Sequence, residues 1–501
     1  MIVEGPNPGA QIALNAIGKQ DTYLLENDPE NSFFKYDPKR HSNFQKFHRS
    51  TKIDNPGTKA NWPFGESIKV TLNPRNMGDL LSNMYIAIDF PGLGSNSFYL
   101  SDQIGRHLIK SVAMRVDETE IEKFHDDWGI IYDELYLDAS EKRTKRYLVN
   151  RFFAEGTSSV NNAGLVTNES KLFIPIPLFF SRKYEGDEYD SNKPNRPYFP
   201  TCAIHKQKIE FEITFRPQTF FTNSTDTVSL ANFKIITEEI TVSNQERIYL
   251  MTKPQTFITD IVRKHPTVET ELNESEVKLQ LVPNVPVKSM NWFLRNTDFE
   301  DESVYAGGTS LESNVFYNRY NFSASDTVSL SNAFFQPIMD SAKIYINGQD
   351  LPNLPLVDHT YYKYVVPHNS RLSRPEKNIY TYTFSMNPIN VEPSGSLDFG
   401  QLQSDRTVLD VKLKDGLSNS NTYSLHLYYV GYQTFKFDGG FVSLVSVPPI
   451  GTYVPETSME VEGVRPKPGE LNREIPPGYG RPKPGELNRE IPPGYGRPKP
   501  E

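Results

Sequence analysis

A chain of 501 residues is too long for one ordinary hydrophobic core, and two domains of roughly 200 residues each would fit it. Its 53 basic and 62 acidic residues leave a formal charge of -9, which argues against packaging nucleic acid by direct contact, since neutralising phosphate needs Lys and Arg. A single cysteine, Cys202, excludes an intrachain disulfide and fits a reducing compartment; no run approaches the ~20 apolar residues of a membrane span, and no secretory leader is expected.

In chain order, short strands with turn signals dominate. Ile68, Val70 and Leu72 share one face of a predicted strand, and Met84, Ile86, Ile88 and Phe90 share one face of the next, closed by Pro91-Gly92. Trp128, Ile131, Tyr132 and Leu135 recur at helical spacing. Residues 182–197 hold no apolar run and read as a polar loop. Ile209, Phe211, Ile213 and Phe215 alternate with Glu210, Glu212 and Thr214, and Ser243-Asn-Gln-Glu246 reads as a capping box opening a short helix between two halves. The second half repeats the period of two at Val277, Leu279 and Leu281, at Leu409, Val411 and Leu413, and at Tyr423, Leu425, Leu427 and Tyr429. Between these, Ile379, Thr381, Thr383 and Ser385 alternate with Tyr380, Tyr382, Phe384 and Met386, ahead of a Pro393-Ser394-Gly395 turn that predicts a β-hairpin. Each strand is expected to turn one face to a core and the other to water, as antiparallel sandwiches do.

Few residues invite a chemical reading. His41, His107, His125 and His205 lack the short Cys/His intervals of structural zinc, and His125-Asp126-Asp127 reads as packing rather than a metal site. Gly92-Leu93-Gly94 is followed by neither a helix start nor a Lys, which excludes a phosphate loop. Glu238 and Glu239, as strand neighbours pointing to opposite faces, suggest a wet edge rather than a glycosidase pair. Asn-x-Ser/Thr patterns at Asn168, Asn223, Asn273 and Asn321 read as chance matches in polar loops. No catalytic residue, cofactor or metal is assigned. At the far end, residues 465–480 recur identically as residues 481–496, and Arg497-Pro-Lys-Pro500 begins a third copy. Pro and Gly at this density predict an extended, solvated segment from about Thr457 onward.

An ordered set of short motifs runs through the chain: Phe33-Phe34, Asn43-Phe44, Gly78-Asp79, Asp127-Trp128, Trp292-Phe293, Asn347-Gly348, Pro393-Ser394-Gly395 and Gly439-Gly440. In order and wording the set resembles the major capsid proteins of nucleocytoplasmic large DNA viruses, the double jelly-roll family, over roughly residues 9–447. Asp398 and Gly400 depart from it, standing where the family usually carries Asn and Ser.

The resemblance implies an all-β fold of two tandem jelly-roll β-sandwiches with few short helices and a disordered Pro/Gly-rich C-terminal tail. In sequence terms this means an inward-facing N-terminal segment over 1–24, a first jelly roll over 25–225, a connection over 226–239, a second jelly roll over 240–447 and the repeat tail over 448–501. It also implies a structural protein without enzymatic activity, a homotrimer forming a pseudo-hexagonal capsomer that tiles an icosahedral virion capsid. The implied partners are neighbouring capsomers, minor capsid and vertex proteins and an internal membrane, with no direct nucleic-acid binding and with assembly in the host cytoplasm. Jelly rolls also serve lectins, so the alternative is a carbohydrate-binding attachment protein, although no aromatic platform or calcium-ligand loop stands out.

Overall fold

The computed structural model describes Ile12 and, apart from isolated positions, residues 41–53, 64–90, 103–149, 170–183, 197–304, 319–324 and 336–445. Apart from Ile12, the expected inward-facing segment over 1–24 lies outside the described residues, as do Phe33-Phe34, most of the polar loop and the repeat tail.

Eight strands build the first half: β1 (Phe44–Lys52), β2 (Ser67–Leu72), β3 (Leu80–Phe90), β4 (Ile109–Val116), β5 (Thr119–His125), β6 (Ser170–Pro175), β7 (Ile209–Phe215) and β8 (Ala231–Val242). They pair antiparallel in two four-stranded sheets, ordered β1-β8-β3-β6 and β2-β7-β4-β5. The predicted alternation is realised in β2 and β7, whose apolar residues are buried while Lys69 and Glu212, register partners, face outward. Two helices, α1 (Asp126–Leu135) and α2 (Ala139–Val149), fill the connection from β5 to β6. The sequence reading missed α2 because its charged run shows no apolar period. Its signal is a reciprocal cap: the Glu141 N–H donates to Asp138 Oδ1 at 2.8 Å and the Asp138 N–H to Glu141 Oε2 at 3.1 Å.

A third helix, α3 (Asn244–Thr252), separates this half from β9 (Gln255–Lys264), β10 (Val268–Glu269), β11 (Glu276–Gln280), β12 (Val287–Asn296), β13 (Met339–Ile346), β14 (Gln349–Leu351), β15 (Tyr380–Thr383), β16 (Val408–Leu413), β17 (Tyr423–Asp438) and β18 (Phe441–Val445). Ser243 caps α3 by accepting the Glu246 N–H at 3.4 Å, but the Glu246 carboxylate accepts from Ser42 rather than returning to Ser243, so half of the predicted box forms. The second half is ordered β10-β17-β12-β15 and β11-β16-β13-β14, with β9 and β18 added along β17. Adding nine to every strand number of the first half gives the second, so two jelly rolls of the same topology stand in tandem.

Four expectations need correction. The connection expected over 226–239 is largely strand: β8 inserts between β1 and β3 and completes the first roll. Glu238 and Glu239 are not a wet edge, because that central position buries both. Glu238 accepts from Ser82 Oγ at 2.6 Å and pairs with Lys46 at 2.9 Å; Glu239 accepts the Gly78 N–H at 2.6 Å. The predicted hairpin is a short strand followed by a loop, since only Tyr380–Thr383 pairs, with β12, and the chain beyond Gly395 returns to a single bridge between Leu397 and Val287. Finally, β12 and most of β17 have no wet face.

That last departure places the cores. Met290, Trp292 and Leu294 of β12, with Tyr423, Leu425, Leu427 and Tyr429 of β17, enter the core of the second roll. Phe293, Tyr428, Val430 and Ile379 point the other way and join the core cluster of the first roll. The sheet β10-β17-β12-β15 is therefore buried on both faces, and residues 1–447 form one compact unit.

Candidate functional site

The densest chemistry of the described residues lies in this seam. Asp126 and Asp127 open α1, where the helix dipole favours negative charge. Asp126 receives Arg216 of the first roll at 2.6 Å and the Tyr320 hydroxyl of the second roll at 2.6 Å. Asp127 is joined across the seam by Arg295 of β12 at 2.5 Å. Burial alone would raise the Asp127 carboxyl, but Arg295, His426 and Lys264 hold it well below the usual carboxylate range. His125, just before the same helix and with its ring 6.2 Å from that of Tyr428, has its imidazole pushed down to about 3 by burial and then by Lys264. Among the described residues no group of three or more His, Cys, Asp and Glu side chains is placed to hold a metal ion.

Further along the seam, Glu122 of β5 accepts from the Arg182 guanidinium at 2.7 Å, the Phe179 N–H at 2.7 Å and the Val262 N–H at 2.9 Å. Arg182 in turn donates to the Asp260 carbonyl at 2.6 Å, and the Asp260 carboxylate pairs with fully buried Lys288 at 2.8 Å. Burial raises the Asp260 carboxyl and lowers the Lys288 ammonium. Glu122–Arg182 and Asp126–Arg216 pair within the first roll and Asp260–Lys288 within the second. Arg295 to Asp127, Tyr320 to Asp126, Arg182 to the Asp260 carbonyl and the Val262 N–H to Glu122 cross the joint, and these crossing contacts hold the two bodies in one register. Of the belt's charged groups, Asp126 and Asp127 were named from the sequence, but Arg216, Arg295, Glu122, Asp260 and Lys288 were not. The available signal was Lys288 and Arg295 sitting inside a strand that also carries Trp292-Phe293-Leu294.

The seam carries a pH dependence. Burial would raise the Glu300 carboxyl, yet His426, 2.5 Å away, together with Arg295 and Ser424, draws it from 4.5 to about 2. A carboxyl depressed by folding stabilises above its unfolded value and loses that contribution as pH falls through its folded value. Stability should therefore drop between about pH 4.5 and pH 2, with on the order of 3 kcal/mol from Glu300. Denaturant midpoints measured across that range test this, and Glu300→Gln should flatten the slope.

The signature residues take framework positions. Asn43 precedes β1 and Phe44 opens it, both exposed. Gly78 has no room for a Cβ, which would lie 2.9 Å from that of Glu239. The Asp79 carboxylate accepts from the Val242 N–H at 3.0 Å and from Arg247 of α3 at 2.7 and 2.9 Å, tying the junction helix to the first roll. Trp128 is buried against Tyr136 and Tyr428. Asn347-Gly348 and Gly439-Gly440, all at positive φ, form the two-residue turns of β13–β14 and β17–β18. A Cβ at Gly440 would lie 2.9 Å from the His205 ring and 3.0 Å from the Lys206 side chain on the first roll, so only glycine fits there. Ser394 links its loop to β17 by donating its N–H to the Tyr432 hydroxyl at 3.2 Å; Pro393 is exposed, and Gly395 has φ 126°. The structure brings Asp127 and Trp128 into the seam and distributes the others along both rolls.

Cys202 is buried beside Asp79, and burial, then Asp79, pushes its thiol up to about 12. Reducing agents should change neither mass nor melting temperature; a dimer band on a non-reducing gel, lost on reduction, would contradict this.

Two paired sheets are repeated at a fixed strand offset and joined through a buried polar belt. A model described as the major capsid protein N-terminus matches residues 32–250, and one described as large eukaryotic DNA virus major capsid protein matches residues 238–438. The chain belongs to this family of viral major capsid proteins. The two matches overlap at 238–250, across the end of β8 and the start of α3. The major capsid protein of Paramecium bursaria Chlorella virus 1 is 23% identical over 422 residues, covering 81% of this chain and 87% of that protein. The major capsid protein of Phaeocystis pouchetii virus is 22% identical over 541 residues, covering 87% and 99%. Among solved structures, a chain of the PBCV-1 virus capsid superposes with a TM-score of 0.64 at 18% identity, covering 83% of this chain and 100% of that one. The Faustovirus major capsid protein gives 0.56 at 11% identity, covering 83% and 96%. The chain is thus a capsid protein, a structural component of the virion, with the double jelly-roll fold.

Proposed function

We propose that this major capsid protein assembles as a homotrimer, forms a pseudo-hexagonal capsomer and tiles an icosahedral shell. The observation that carries this reading is the nine-strand offset: two rolls of one topology fixed in one body give three copies six similar lobes around an axis. We divide the two rolls at Ser243, between β8 and α3, and assign the signature residues of both rolls to holding this framework, with no catalytic role. The N-terminal segment faces inward toward minor capsid and vertex proteins and an internal membrane, neighbouring capsomers meet through the lateral faces, and assembly takes place in the host cytoplasm.

Permanent interfaces of this kind commonly bury more than ~2,000 Å² and exchange slowly. The purified protein should therefore run near three times its 57.2 kDa chain mass by light scattering coupled to gel filtration, without metal, nucleotide or nucleic acid, and should show hexagonal outlines by electron microscopy. A persistent monomer at micromolar concentration would overturn the trimer and move weight to a carbohydrate-binding role.

A further inference from the structure

The buried carboxylates of the seam take two kinds of partner. Asp126, Asp127 and Glu122 each face an arginine, at 2.6, 2.5 and 2.7 Å, and a guanidinium stays protonated and is no nucleophile. Asp260 of β9 faces a primary amine instead. Lys288 Nζ lies 2.8 Å from Asp260 Oδ2, one bond short of the carboxyl carbon, and donates as well to the Asn390 carbonyl at 2.8 Å. Both side chains are buried, and Asp260 Oδ1 has no hydrogen-bond partner among the described residues.

The strand order makes this meeting an unusual one. β9 and β12 flank β17 on opposite sides, because Tyr428 to Gly431 pair with both. Lys288 therefore reaches across β17, and it does so over the ring of Tyr432, the register partner of Asp260, 5.3 Å from the ring centroid. A β-bulge aims it: along β17 the register passes from Val287 to Ser289 in one step and leaves Lys288 as the extra residue. Bulges turn a side chain out of the strand's alternation and are common beside reactive groups. Burial raises the Asp260 carboxyl and lowers the Lys288 amine, so both shift toward their neutral forms, a carboxylic acid facing a free amine. A desolvated lysine is a competent nucleophile, and fixed proximity replaces an encounter in solution.

We propose that Lys288 and Asp260 form a modification site at which the folded chain joins itself by an amide bond, stitching β9 to β12 across β17. The ammonium proton passes to the carboxylate within the pair. The Nζ lone pair then attacks Cγ, and the bond from Cγ to the hydroxyl oxygen breaks. That hydroxyl takes one proton from the amine and leaves as water. No oxidant, cofactor or second chain enters, and two buried charges are removed. The bond lies within one chain and is independent of the trimer reading. It gives a protein with a single cysteine a covalent staple that reducing agents leave intact.

The test is the mass of the full chain, denatured first so that only covalent links survive. The main species should be lighter than the sequence mass by about 18 Da, one water. Trypsin should then fail to cut after Lys288 and should release residues 248–263 joined to residues 279–295 as one branched peptide. Lys288→Met and Asp260→Ala should each return the chain to its sequence mass. A main species at the sequence mass that releases residues 279–288 would overturn the proposal. So would a deficit that persists in Lys288→Met, since an aspartyl succinimide loses the same water without the lysine. If either variant fails to fold, the wild-type peptide map decides alone, because the branched peptide is either present or absent.

Discussion

Replacing Arg295 by methionine should cost the folded chain about 3–5 kcal/mol, because buried Asp127 would lose its direct ion-pair partner and keep only the more distant Lys264 at 3.9 Å. The guanidinium also donates to the Arg319 carbonyl at 2.9 Å and lies over the rings of Phe293, Tyr320 and Phe322, so its packing is lost along with its charge. Denaturant unfolding of the single and double variants measures the effect. The double variant Asp127→Asn/Arg295→Met should be more stable than Arg295→Met alone, since removing both charges removes the desolvation penalty with the attraction. Equal losses in the two would mean that the ion pair does not couple the rolls.

Alanine at Trp292 and at Phe293 should each cost about 3–5 kcal/mol, although the two residues are neighbours on a strand and point in opposite directions. Trp292 fills the second roll's own core, 5.0 Å from Tyr362. Phe293 fills the seam, stacked on Phe322 at 4.0 Å and on His426 at 4.8 Å. A strand with one wet face would show one large and one small loss, so comparing the two melting curves distinguishes the arrangements. A negligible change in Phe293→Ala would refute burial on both sides.

The parts of the fold that could be read from sequence are those where one face meets water. In β2, β7 and β11 the outward residues are polar, as are Asp410 and Lys412 of β16, and the period of two follows from that contrast. In β12 the contrast is absent: Lys288, Ser289, Asn291 and Arg295 are buried beside Trp292 and Phe293, so the strand shows neither an alternating nor a continuously apolar pattern. The seam was hidden for a second reason. Arg295 and Asp127 are 168 residues apart, and a charged side chain gives no sign in sequence of a partner at that distance. The duplication was hidden as well. The echo of Asp226-Thr-Val-Ser-Leu230 at residues 326–330 falls between β7 and β8 in one half and between β12 and β13 in the other, positions that the strand offset does not equate. The same topology is reached with different side chains, since a jelly roll requires a pattern of burial and turns rather than particular residues.

The two-sided burial of β12 also bears on how the chain tolerates change over generations. Along β2, Ser67, Lys69 and Thr71 face solvent and can be exchanged for other polar residues at little cost. All ten positions of β12 are buried, so a substitution anywhere along it alters the second roll's interior or the joint with the first. Drift there has to proceed by compensated pairs, and the innermost strand of the building block is also the one with the least freedom to vary.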